Sequence, residues 1–211
     1  MHATKKDLTP KPVRTFGATK FFFSSSILTC FIILSSCLNK NESFSSLFKV
    51  SLSTVDHQEF SFGSFANYRA SVIIFLQPEC PFCSSYGRTL RSLDSVFKSK
   101  NVKMVAAVAG KFYPDTQIMD YREKFNLSFP FLLDPDFVLK KKLNASVTPE
   151  AFLIDGKGNT IYRGMIDNWG YEIGKVRAHA TEFYLIDAVN NFLAGNPVII
   201  DSTKAVGCYI E

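Results

Sequence analysis

The pattern of apolar and polar positions divides the chain into a leader and a later series of alternating strands and helices. Residues 71–76, Ser-Val-Ile-Ile-Phe-Leu, form an unbroken β-branched-rich run. Such a run predicts a central strand buried on both faces. After Gln77-Pro78-Glu79, the residues Phe82, Tyr86, Leu90, Leu93 and Phe97 recur at spacings of three and four. They predict an amphipathic helix with Arg88, Arg91 and Lys98 outside it, and Pro81 suits its first turn. Glu59–Phe65 alternates and predicts an edge strand. Residues 102–108 predict another strand. Pro114-Asp115 opens a helix with Ile118, Tyr121 and Phe125 on its buried face. Residues 129–134 read as a short strand, and 136–143 as a short helix whose lysines 140–142 form a solvated face. Residues 150–155 and 160–164 flank Gly156-Lys-Gly-Asn159, the pattern of a β-hairpin. A last helix spans 181–194 through Phe183, Ile186, Val189 and Leu193, and Gly195 stops it. This alternation predicts an α/β domain with a parallel or mixed sheet and helices on both faces.

The leader changes the picture of where the domain works. Of the 211 residues, 46% are hydrophobic and the net charge is +5. Lys5, Lys6, Asp7, Lys11, Arg14 and Lys20 account for +4 of that charge, leaving +1 for everything from Cys37 onward. A nucleic-acid partner is therefore not expected. Residues 21–34 are an apolar stretch of signal-peptide length, short for a bilayer span. Leu34-Ser35-Ser36-Cys37 follows directly and resembles a bacterial lipobox, in which the cysteine receives the lipid. The expectation is a signal peptide over 1–36, lipidation at Cys37, a Ser- and Asn-rich tether over 37–55, and a domain over 56–211. The alternative is an uncleaved anchor. With the lipid in place, the protein would be a lipoprotein of the bacterial cell envelope, facing the periplasm.

The chemistry converges on Cys80-Pro81-Phe82-Cys83, at a strand-to-helix turn. Two thiols at this spacing are the layout of a dithiol redox site. Cys80 precedes the helix, where unpaired N–H groups and the helix dipole favour a thiolate, and so is the expected nucleophile. Cys83, one turn in, is the expected resolving thiol. A zinc site would need a second such pair or paired histidines. The sequence offers neither, and His57 and His179 are isolated, so no metal or other cofactor is expected. A structural disulfide closing so small a loop would remove little chain entropy. Thr148-Pro149 is the second element. A proline opening a strand cannot donate to a ladder, and a cis bond there would set the Thr148 backbone beside the sulfurs, to pair with an incoming polypeptide.

Together, Cys80-Pro-Phe-Cys83 after the 71–76 strand and Val147-Thr-Pro-Glu-Ala-Phe-Leu-Ile-Asp155 resemble the thioredoxin superfamily over about residues 56–211. The 64 residues between Cys83 and Thr148 leave room for a central α-β insertion. With Tyr162-Arg-Gly-Met-Ile-Asp167 and Val206-Gly-Cys-Tyr-Ile210, the chain resembles the exported TlpA/ResA-like and redoxin (AhpC/TSA-type) branch. The resemblance implies a thioredoxin-like fold with a central mixed sheet, disulfide exchange at Cys80 and Cys83, and a cis Pro149. It also implies disulfide-containing proteins or small thiols as substrates and a membrane electron donor of the thiol-reducing type. The expected direction is reduction or exchange rather than disulfide formation.

Some positions depart from the pattern. Glu79 stands where an aromatic residue is usual before the first cysteine, and a carboxylate there opposes thiolate formation. The 72–76 strand lacks the acid that many relatives use to move the resolving proton. Glu79 and Glu150 are candidate substitutes, or else solvated carboxylates. Cys208 is odd once Cys37 is lipidated: a third redox thiol, or a plain free one. Two rivals remain. A peroxiredoxin-like peroxidase would need a Pro-x-x-x-Thr/Ser-x-x-Cys frame, but Ile73 and Gln77 precede Cys80, and Leu76 and Cys80 precede Cys83. A copper chaperone on this fold would need a distant histidine, for which His179 is the candidate.

Overall fold

The computed structural model describes residues 46–211. Strands β1 (Ser51–Thr54) and β2 (Glu59–Ser61) pair antiparallel. They are followed by β3 (Ala70–Phe75), α1 (Pro81–Ser99), β4 (Val102–Ala109), α2 (Asp115–Lys124), β5 (Phe131–Asp134) and α3 (Val138–Leu143). Next come β6 (Val147–Thr148), β7 (Glu150–Asp155), β8 (Thr160–Gly164), β9 (Gly170–Glu172), β10 (Lys175–Val176), α4 (Tyr184–Leu193) and β11 (Cys208–Tyr209). The main sheet has the order β2-β1-β5-β4-β3-β7-β8. The pairs β3–β4 and β4–β5 are parallel, while β3–β7, β7–β8 and β1–β5 are antiparallel. The sheet is thus mixed, with helices on both faces and α2-β5 as an added unit between the two halves.

Side chains of β3 alternate between two buried faces, which is why all but Ser71 are apolar. Val72, Ile74 and Leu76 point to one face and join Tyr86, Leu90, Leu93 and Phe97 of α1 and Leu185 and Val189 of α4 in one core cluster. Ile73 and Phe75 point to the other face, with Phe62, Phe65, Leu139, Phe152 and Ile210. Burying each such large side chain contributes about 1.5–3 kcal/mol. Among the described residues, no helix is long and apolar enough to cross a membrane.

Three expectations need correction. The tether does not run to residue 55, because 46–55 belong to the body. Leu47, Val50 and Val55 are buried, and β1 fills the place between β2 and β5. The alternation over 59–65 stops being a strand at Ser61. The Ser61 hydroxyl accepts the Gly63 N–H at 3.3 Å, and Phe62–Asn67 winds into a 3-10 turn that buries Phe62 and Phe65 together. The last helix starts at Tyr184, not 181, because the Asn168 side chain accepts the N–H groups of Thr181 and Glu182 at 2.8 and 3.2 Å and holds them in a turn. The leader, the expected signal peptide and Cys37 lie outside the described residues.

Candidate active site

Cys80 is the N-cap of α1, with extended backbone angles and Pro81 behind it. Its carbonyl accepts the Ser84 N–H at 3.0 Å, and its own N–H donates to the Gln77 carbonyl at 3.1 Å. The turn from β3 into α1 is thereby fixed with Cys80 at the helix N-terminus, its side chain making no capping hydrogen bond to the first turn. Cys83, one turn on, is 0% exposed. Burial pushes its thiol up to about 12, against the opposing effect of hydrogen bonds from the Gln77 backbone and the Thr148 side chain. The Tyr121 hydroxyl donates to the Cys83 carbonyl at 2.7 Å, which pins this turn of α1 to α2.

The Thr148–Pro149 peptide bond is cis. The Thr148 carbonyl lies 3.2 Å from Cys80 Sγ, and the Thr148 hydroxyl donates to Gln77 Oε1 at 3.0 Å. The structure therefore brings Cys80, Cys83 and Thr148-Pro149 together.

It does not join the two motif cysteines to each other. Cys80 is disulfide-bonded to Cys208, with the Cα atoms 6.0 Å apart, and Cys83 is the free thiol among the described residues. The partner arrives on β11, which pairs antiparallel with β6 so that Cys208 faces Thr148 and Tyr209 faces Val147. The close approach depends on Gly207, where a Cβ would overlap the Thr148 carbonyl. Below it, the Ile210 N–H donates to the Ser146 carbonyl at 3.0 Å, and Lys140 Nζ donates to the Ile210 carbonyl at 2.6 Å. Lys140 is thus not simply solvated, as its lysine run suggests. It anchors the C-terminal segment.

The two candidate proton carriers are placed differently. Glu79 is exposed and accepts from the Gln117 amide at 2.8 Å. Glu150 is buried and takes the Ser146 N–H at 2.8 Å and Arg163 at 3.1 Å. Neither carboxylate hydrogen-bonds to a cysteine sulfur among the described residues, so Glu150 serves the β6–β7 turn. His179 is exposed. It lines a cavity of about 460 Å³ with Tyr86, Asp167 and Trp169. Among the described residues, it forms no group with Cys80 and Cys83 that could hold a metal ion.

Sequence reasoning missed Gln77, whose signal was a polar side chain closing an apolar strand. It also missed the buried pair in which the Tyr86 hydroxyl donates to Asp167 at 2.6 Å, beside the Trp169 ring. Burial and that carboxylate hold the Tyr86 hydroxyl far above its ordinary range.

A family model described as redoxin matches residues 41–175. The chain belongs to the redoxin family. Its function is accordingly a thioredoxin-like redox one, that of an oxidoreductase. The match stops short of β11, so Cys208 lies beyond the part of this redoxin that the family model covers. No curated protein matches the chain in sequence. Solved structures share its fold. A hypothetical protein from Sinorhizobium meliloti superposes with a TM-score of 0.69 at 23% identity, covering 76% of this chain and 89% of that one. An uncharacterised conserved protein from Geobacillus kaustophilus gives 0.66 at 23% identity, over 76% and 87%. A secreted disulfide oxidoreductase from Mycobacterium tuberculosis, described as homologous to E. coli DsbE, gives 0.51 at 18% identity, over 70% and 96%. At these identities the likeness shows the fold, which is thioredoxin-like.

Proposed function

We propose that this redoxin is a lipid-tethered thiol–disulfide oxidoreductase of the bacterial cell envelope that reduces or exchanges disulfides with Cys80 and Cys83. One observation carries the reading. Cys80 Sγ, at the N-terminus of α1, is covalently held by a cysteine on a strand paired to Val147–Thr148. That is the geometry of a polypeptide disulfide captured at the site. In the forward reaction the Cys80 thiolate attacks a substrate disulfide, forming a mixed disulfide and expelling one substrate thiolate. Cys83 then gives up its proton and attacks Cys80 Sγ, and the second substrate thiolate leaves. The substrate gains two electrons and the protein keeps a Cys80–Cys83 disulfide, which a thiol-reducing donor at the membrane restores. Thr148 and Pro149 supply the edge that aligns the substrate chain. Support for the location comes from the lipobox-like Leu34–Cys37 and from the secreted relative of similar fold.

The test is catalysed reduction of insulin disulfides by the full chain with a dithiol as electron source. Cys80→Ser is expected to lower the rate by about a hundredfold or more, because no other group supplies the nucleophile. Cys83→Ser should accumulate the mixed disulfide on Cys80. Full activity in Cys80→Ser, or no reversible disulfide in the wild type, rejects the proposal.

A further inference from the structure

We propose that Cys208 is a third redox-active cysteine: the thiol at which an external dithiol attacks the oxidised protein, releasing the C-terminal segment from the edge that substrate needs. This deepens the oxidoreductase reading and rests on it.

The segment occupies the substrate's place. β11 takes the hydrogen-bonding edge of β6, directly before the cis proline, and its cysteine is bonded to the nucleophile. While it stays there, Cys80 is 2% exposed and Cys83 is 0% exposed. An incoming disulfide then finds neither an open edge nor a free Cys80. The bond must be opened first, and the geometry favours one sulfur for that attack. Cys208 is partly exposed, beside Tyr209, which is 70% exposed. Attack on Cys208 also expels Cys80 as a thiolate at the N-terminus of α1, where the helix dipole favours an anion. The inside route is slow in this state, because burial keeps Cys83 protonated.

The step balances. A thiolate of the external dithiol attacks Cys208 Sγ; the new S–S bond forms as the Cys80–Cys208 bond breaks, and the electron pair leaves on Cys80. The dithiol's second thiolate attacks its own sulfur in the mixed disulfide and frees Cys208 as a thiolate. The reductant ends as a disulfide, and two electrons reside on Cys80 and Cys208. What then holds β11 is a two-residue pairing and the Ile210 anchor, which a substrate strand can displace.

The experiment uses the full chain carrying Cys83→Ser, oxidised, then exposed briefly to glutathione as the probe thiol, quenched in acid and mapped by peptide mass. The expected result is a Cys80–Cys208 disulfide before exposure. Afterwards, glutathione on Cys208 should exceed that on Cys80 by about tenfold or more. Glutathione mainly on Cys80, or no Cys80–Cys208 disulfide, overturns the proposal. Insulin reduction by the wild type in the same preparation separates the two readings, since its persistence leaves the oxidoreductase standing while the inference falls. Gly207→Ala gives a second, independent check. The added methyl should dislodge β11 and move the oxidised population from Cys80–Cys208 to Cys80–Cys83. An unchanged ratio would also overturn the proposal.

Discussion

A thiol sealed from water must be deprotonated before it can resolve anything, and Cys83 is sealed. In the Cys80–Cys208 state its thiol is pushed up to about 12. Transfer of the disulfide from Cys208 to Cys83 needs the Cys83 thiolate, whose fraction grows as pH rises toward that value. The rate of this internal exchange is therefore expected to climb about tenfold per pH unit from about pH 7 to about pH 10. Rapid alkylation and mapping would follow it. Levelling near the ordinary thiol range of about 8–9 would show that Cys83 meets solvent. Tyr113 and Tyr121, its titratable neighbours, are themselves held above their usual range, chiefly by burial. A second prediction concerns Tyr86. Its phenylalanine variant leaves Asp167 with the Trp169 N–H at 2.9 Å but without the hydroxyl donor. The expected cost is about 1–3 kcal/mol, read from the urea midpoint. Much of the site is legible at this scale, since the residue types Cys80, Cys83, Thr148 and Pro149 announce themselves. What Gln77 does was not legible, because its partner Thr148 stands 71 residues away and only the fold joins them.

Elements differ in how much of their cause lies within them. The helix α1 carries its own signal in the three-and-four spacing of Tyr86, Leu90, Leu93 and Phe97, all of which are buried. Its closest packing is set by Gly87, where a Cβ would run into the Phe125 ring just after α2. Gly87→Ala is therefore expected to destabilise by about 1–3 kcal/mol through overpacking. Arg88→Ala, on the exposed face, should stay within about 0.5 kcal/mol. Thermal unfolding of the two variants checks the contrast. By comparison, β6 and β11 are two-residue strands that exist only as each other's partner. No periodicity can reveal a strand so short, so the sequence shows Cys208 as an unassigned thiol and not as the neighbour of Thr148. The 3-10 turn at Phe62–Asn67 was hidden for a similar reason, since its two buried phenylalanines also fit an alternating strand.

For the whole molecule, the domain begins earlier than its composition suggests. A Ser-rich segment reads as a tether, yet β1 pairs with β2 on one side and β5 on the other, and Arg122 pairs with Asp56 at 2.6 Å just beyond it. A chain begun at residue 56 would lose the burial of Leu47, Val50 and Val55, at about 1.5–3 kcal/mol each. That is a large part of a typical stability of about 5–15 kcal/mol. Such a chain is expected to unfold at markedly lower urea than one begun at residue 46, with a shallower transition. Equal midpoints would mean that β1 is dispensable.

The short strand at the C-terminus also sets a concentration scale. On the proposed mechanism, β11 is part of the same chain as β6 and so competes with a substrate strand for that edge at an effective concentration on the order of millimolar or more. A substrate disulfide present at micromolar levels cannot win that competition by abundance. It must win by binding, which makes the tethered strand a built-in affinity threshold that only well-matched partners cross.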